Sequence, residues 1–229
     1  MRIVFRCDPA LAETLPQPVP ARTVLPDWLR KMPAKAYSEI HGRDIRTVKQ
    51  CPPFVDAMTH GFMILLPCDV TVENGAFEWH WDIAEPSTKG HPRSPLSFHV
   101  AEQLAGAPFA NGLAAIKFNS FWTIELEEGW SLFATHPVNR DELPFRLVTG
   151  VVDSDHFQDA GINFPDRDFR GVLPKGTPVA QCFPVPRAAP ELVFESFDAA
   201  RQIAYAGTVA DVLARPGVYR KQFRDKRPR

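Results

Sequence analysis

Proline is spread through this 229-residue chain as punctuation, and that pattern limits the fold more than any motif does. The 23 prolines fall between short apolar runs, as in LPQPVP, CPPF, LLPCD, HPRSP, LPF, NFP, LPKGTP and FPVPRAAP. A proline ring removes a backbone donor and breaks a helix interior. Runs this short between such breaks suit strands of about five residues with tight connections. The pattern predicts a mainly β chain.

Expected strands lie over residues 2–7, 62–66, 70–72, 77–81, 115–118, 122–126, 130–134, 146–152, 161–164, 171–173 and 179–185. Residues 62–66 read as buried on both faces, and Glu73-Asn74-Gly75 is a hairpin signal between the next two strands. The proline-rich residues 15–26 are expected to lie extended over the surface. Asp27 is placed to cap a short helix with Trp28, Leu29 and Met32. Pro52 and Pro53 suit a helix first turn, followed by the apolar face Phe54, Val55 and Met58 and ended by Gly61. Residues 91–112 are polar and irregular, with one helical turn near 99–104. The period then changes: residues 198–205 and 209–213 read as helices, with Thr208 as N-cap and Pro216-Gly217 as the stop.

These elements describe one domain over residues 1–229. It comprises an N-terminal extension with a short helix (1–60), a β core (61–190) with an insertion at about 85–112, and a helical tail (191–229). With 45% apolar residues the chain can bury a substantial core. Lys plus Arg (26) nearly balances Asp plus Glu (27), so no global field draws it to nucleic acid or an anionic membrane. The first residues, MRIVFRCDPA, are too polar for a signal-peptide core, and no run approaches about 18 apolar residues. A cytoplasmic protein with a small-molecule ligand is expected. Cysteines 7, 51, 68 and 182 form no CxxC pair or zinc spacing; Cys68 and Cys182 sit in apolar runs and read as buried thiols. The closing RKQFRDKRPR reads as a solvated basic tail, or as a flap bringing Arg to an anionic ligand.

Chemistry is concentrated between Gly150 and Gln181. The apolar run before Asp153 delivers Asp153 and Asp155 to an exposed strand end, although an Asx-type turn would also account for them. Here GVVDSDHF resembles the G-[VI]-I-D-x-D-Y of the dUTPase and dCTP-deaminase superfamily, and PKGTPVAQ resembles its P-G-x-R-I-A-Q. Asp153 precedes Gln181 by 28 residues, close to the family interval, and LEEGWSLFATHP upstream resembles the family's LPxGYxGxxxP. The resemblance covers about a quarter of the chain. It implies a trimeric β-clip, a distorted barrel or sandwich, with Asp153 activating water and His156, or Phe157, stacking on a sugar. Gln181 would contact phosphate, Arg140 beside Asn139 would stand in for the phosphate-binding Arg-Ser, and Mg²⁺ would arrive bound to the phosphates. Val138 and Pro178 stand where the family has arginines, and its Gly-rich closing motif is missing, since no glycine follows Gly217. Separately, TVKQCPPFVD (47–56) resembles a T-[VI]-K-x-C-P-P-x-x-D segment of a group of bacterial and phage proteins, which implies no function.

Two other function classes remain open. His80 and Asp82 in FEWHWD form an HxD pair which, with His136 as distal ligand and Arg146 as a carboxylate clamp, resembles the facial triad of Fe(II)/2-oxoglutarate oxygenases. The same two residues equally fit the solvent face of an amphipathic strand whose other face carries Trp79 and Trp81. A non-catalytic binding or assembly module, with Trp122, Trp130 and Phe133 in a core or subunit interface, is the third class.

Overall fold

The computed structural model describes residues 1–73, 76–80, 94–107, 115–154, 162–165, 169–215 and 217–225. In chain order its strands are β1 (Val4–Arg6), β2 (Val19–Pro20), β3 (Lys35–Ser38), β4 (Arg43–Arg46), β5 (Phe62–Leu65), β6 (Val70–Glu73), β7 (Ala76–Trp79) and β8 (Leu96–His99). There follow β9 (Ala115–Phe118), β10 (Thr123–Glu125), β11 (Trp130–Thr135), β12 (Phe145–Val148), β13 (Gly150–Val152), β14 (Ile162–Pro165), β15 (Gly171–Leu173) and β16 (Pro178–Pro186). The helices are α1 (Asp27–Lys31), α2 (Pro52–Thr59) and α3 (Ala199–Ala214). The expectation of a mainly β chain of short strands holds. All pairings are antiparallel, and among the described residues the sheets are open, with no closed barrel.

The chain divides into two compact units: Met1–Pro33 with Asp56–Arg187, and Ala34–Val55 with Ala188–Arg229. The first holds a five-stranded sheet in the order β13-β11-β16-β5-β2, a four-stranded sheet β12-β14-β9-β8, a three-stranded sheet β15-β6-β7 and the pair β1-β10. Alternation sends Leu132, Ala134, Cys182, Phe62 and Ile64 of the five-stranded sheet into a core shared with Leu96, Ile116, Phe118, Phe145 and Leu147 of the four-stranded sheet. Strand β5 is buried along nearly its whole length, as expected for a run apolar on both faces. Cys68 and Cys182 are core residues, and burial pushes the Cys182 thiol up to about 12, so it stays protonated and inert.

Several expectations change. The expected insertion contributes β8, which pairs with β9 and buries Leu96 opposite Phe118. The N-terminal segment is built in: β1 pairs with β10, β2 with β5, and Leu11 and Leu15 pack on Phe121. Pro20 is tolerated because β2 is an edge strand. Asp27 is the first helical residue, not the cap, and lies 3.8 Å from Lys31. Residues 146–152 are not one strand. Leu147 and Val152 differ in parity, so one straight strand would point them to opposite faces. The chain breaks at Thr149 and moves from the four-stranded to the five-stranded sheet, which lets both side chains face the core.

The second unit contains the hairpin β3-β4, turning at Gly42 with φ 58°, and α3. The two expected helices are one. Asp198 caps it by accepting from the Arg201 N–H at 2.7 Å, and the Thr208 hydroxyl donates back to the Ala204 carbonyl at 3.0 Å. Thr208 is therefore a mid-helix residue with its polar group satisfied internally. The basic tail begins in a short helical turn over Tyr219–Phe223, and its residues 226–229 lie outside the described ones.

Candidate functional site

Asp153 follows β13 directly. In the β11-β13 register Val152 faces Leu132, so the next step sets Asp153 against Ser131. The buried Ser131 hydroxyl donates to Asp153 Oδ1 at 2.6 Å. The second neighbour comes from the opposite side of β11. Arg187, just past β16, is held by its N–H on the Gly129 carbonyl at 2.9 Å and places NH1 3.7 Å from the same Oδ1. Asp153 keeps 56% of its side chain exposed. Among the described residues Oδ2 carries no hydrogen bond, so one carboxylate oxygen is fixed and the other is not engaged by them. The turn closes tightly, with the Ser154 N–H on the Val152 carbonyl at 2.9 Å. The Ser154 hydroxyl is buried and, among the described residues, without a hydrogen-bond partner.

The same sheet face carries an aromatic row. Phe133 lies two residues from Ser131 along β11 and faces Phe183 across the register, ring centroids 4.9 Å apart and 25° from parallel. His60 continues the row, 4.9 Å from Phe183, and the exposed Val151 sits opposite Phe133. Phe133 and Phe183 are only half-buried. An oriented carboxylate, a guanidinium and an open aromatic surface therefore share one face of the five-stranded sheet.

The other expected residues sit elsewhere. Gln181 is fully buried: its amide donates to the Ala57 and His60 carbonyls at 2.9 and 2.8 Å, and its oxygen accepts from the Val138 N–H at 2.9 Å. It ties the end of α2 to the 137–140 turn. Gln181 pairs with Thr135, four residues along β11 from Ser131, or about 13 Å at strand rise. Arg140 is held by the Glu142 carboxylate and donates NH1 to the Val24 carbonyl at 3.1 Å, while Glu142 accepts from the Trp28 indole at 3.3 Å. Asn139 is exposed, in the left-handed region at φ 57°, which asparagine tolerates. Gln181, Arg140 and Asn139 thus cluster around the 137–140 turn, and this single chain does not bring them to Asp153. Asp155, His156 and Phe157 lie outside the described residues.

Of the HxD constellation, His80 is exposed and Trp79 packs against the core, as on an amphipathic strand. Asp82 lies outside the described residues. His136 has both ring nitrogens engaged: Nδ1 accepts from the Leu147 N–H at 3.4 Å and Nε2 donates to the Arg140 carbonyl at 3.1 Å. Because an N–H only donates and a carbonyl only accepts, these partners select the neutral ring protonated on Nε2. Arg146 is exposed and pairs with Asp141 at 3.0 Å.

Burial holds the His136 pKa below its ordinary 6.5; the Arg140 carbonyl, Asp141 and Glu142 oppose this and Arg146 adds to it. In the unfolded chain the same ring binds its proton more readily. Its contribution is therefore complete above about pH 6.5 and declines as the pH falls through that value toward the lower folded one. Urea unfolding from pH 7.5 to 5.5 is expected to show a loss of stability in the wild type that is smaller in His136→Gln.

Ser131 and Arg187 were not among the residues the sequence pointed to. Their local signals are slight: a serine within an apolar strand and an arginine just after one. Only pairing across β11 brings them to Asp153.

No family model and no curated protein matches this chain. Among solved structures the chain is similar to a mutant dUTPase from phage phi11 of S. aureus, whose structure concerns coordination of a structural Mg(II) ion. The identity is 13% and the TM-score 0.37, over 87% of this chain and 100% of that one. It is also similar to a mutant dUTPase of Staphylococcus bacteriophage 80alpha, at 14% identity and a TM-score of 0.31, over 62% of this chain and 86% of that one. At TM-scores under 0.5, neither likeness assigns a role to any residue here.

Proposed function

We propose that the protein binds a nucleotide-like phosphorylated ligand at the Asp153 end of β13 and hydrolyses it with Asp153 as general base. The observation that carries this reading is the half-exposed carboxylate held through Oδ1 by Ser131, with Arg187 alongside. The attacking water gives a proton to Asp153 as its oxygen bonds to phosphorus, and the phosphoanhydride P–O bond breaks to release the leaving phosphate group. Arg187 offsets the developing charge, a role the sequence leaves open where Val138 and Pro178 replace arginines. The Phe133–Phe183 surface offers a planar ring a stacking partner. Mg²⁺ would come with the phosphates, supplying further charge neutralisation. The motif resemblance supports a homo-oligomer, a trimer in that family.

Asp153→Asn keeps the shape and the Ser131 contact but removes the base. Hydrolysis should fall at least about a hundredfold, with nucleotide affinity and thermal midpoint preserved. Ser131→Ala, which frees the carboxylate to rotate, should lower kcat by roughly tenfold, less than the loss of the base itself. Calorimetry against a panel of deoxynucleoside triphosphates, followed by phosphate-release assays, checks both. No binding across the panel, or wild-type turnover in Asp153→Asn, would defeat the proposal.

A further inference from the structure

The sheet face that carries Asp153 is ordered along its length. Side chains at alternate strand positions share a face, so Thr149, Val151 and Asp153 line up along the sheet edge, opposite Thr135, Phe133 and Ser131 of β11. All six belong to the first compact unit. The three on the edge are exposed, Val151 at 60% and the Asp153 side chain at 56%. At strand rise the file runs about 13 Å from Asp153 to Thr149, with Val151 and Phe133 midway. One end therefore offers a carboxylate with Arg187 beside it, the middle is apolar, and the far end holds two hydroxyls 2.9 Å apart.

The hydroxyl pair has a chemistry of its own. Whichever threonine donates to the other keeps an oxygen able to accept, while the second keeps an O–H able to donate. Among the described residues neither hydroxyl has another partner. The pair thus presents one donor beside one acceptor, and rotating both hydroxyls exchanges the two. A planar ring whose edge carries an adjacent donor and acceptor complements one of these settings. A ring of the same shape without such an edge gains nothing there.

We propose that Thr135 and Thr149 recognise the base edge of the ligand whose phosphates lie at Asp153 and Arg187, an inference that rests on the nucleotide reading. The order along the face is that of a nucleotide: charge at one end, a ring against Phe133 and Val151, and the ring's polar edge beyond. The guanidinium fixes the direction, because the phosphates go to the end that carries it. Since the pair can reverse, it selects for a hydrogen-bonding base without choosing strongly among such bases.

Calorimetry with thymidine triphosphate and its difluorotoluene analogue, which keeps the ring's shape but not its hydrogen-bonding edge, tests this. The wild type should bind the natural nucleotide about tenfold more tightly, as two modest hydrogen bonds allow. Thr135→Val with Thr149→Val removes both hydroxyls together and leaves neither orphaned. It should erase the preference while leaving affinity for the analogue unchanged, and Thr135→Ser with Thr149→Ser should retain the preference. Should the valine pair fail to fold by circular dichroism, Thr149→Val alone, at the exposed position, should lower the preference at least threefold. Equal binding of the two ligands by the wild type, or a preference that survives in the valine variants, overturns the proposal and leaves the nucleotide reading standing. No binding of any deoxynucleoside triphosphate overturns both.

Discussion

Gly61→Ala is expected to cost more than about 4 kcal/mol, a large share of a domain's whole stability of roughly 5–15 kcal/mol. Gly61 lies between α2 and β5 at φ 69°, in the left-handed region. A Cβ there would stand 2.1 Å from the Cys182 carbonyl oxygen and 2.9 Å from the Phe183 Cβ. The left-handed conformation alone costs an alanine about 1–2 kcal/mol. The overlap adds more, since Cys182 and Phe183 belong to β16, which pairs with both β5 and β11 and cannot retreat without breaking a ladder. Gly176 provides the control. At φ 85° it has open space around its missing Cβ, so Gly176→Ala should cost only the conformational term. Urea titration of both variants checks this, and a Gly61→Ala midpoint matching that of Gly176→Ala would refute the steric account.

Gln181→Leu should destabilise the protein by about 3 kcal/mol or more, with no ligand present. Leucine fills nearly the same space but leaves the Val138 N–H and the Ala57 and His60 carbonyls without their partner in a buried setting, where each unsatisfied group costs about 1–3 kcal/mol. Gln181→Glu tests the donors specifically, because it keeps one acceptor for Val138 and removes both N–H groups. It should be at least as damaging, since a carboxylate there would face two carbonyl oxygens. Thermal unfolding of the unliganded proteins measures both. A glutamine whose only part is to touch phosphate would leave these midpoints unchanged.

Gln181 shows how far the motif could be followed. The PKGTPVAQ segment does end in a strand, and Gln181 does lie on it. The resemblance implied a side chain turned toward phosphate, whereas its hydrogen bonds run to the end of α2 and the 137–140 turn. Nothing local distinguishes the two, because the partners come from 43, 121 and 124 residues away. Asp153 is the reverse case: its place at a strand end was legible, but its orientation depends on a serine 22 residues upstream. Within the expected insertion at about 85–112, polar composition masks Leu96 and Phe98, whose pairing with β9 draws Leu96 into the core.

What the sequence determined by itself is what short-range geometry controls. Proline breaks and two-residue alternation set strand length and which side chains share a face, and Gly61 set where α2 must stop. The tertiary structure decided the partners. Register selects among many possible pairings by the apolar face each one buries, and it is register that sets Asp153 against Ser131, brings Arg187 across β11, and splits residues 145–152 between two sheets.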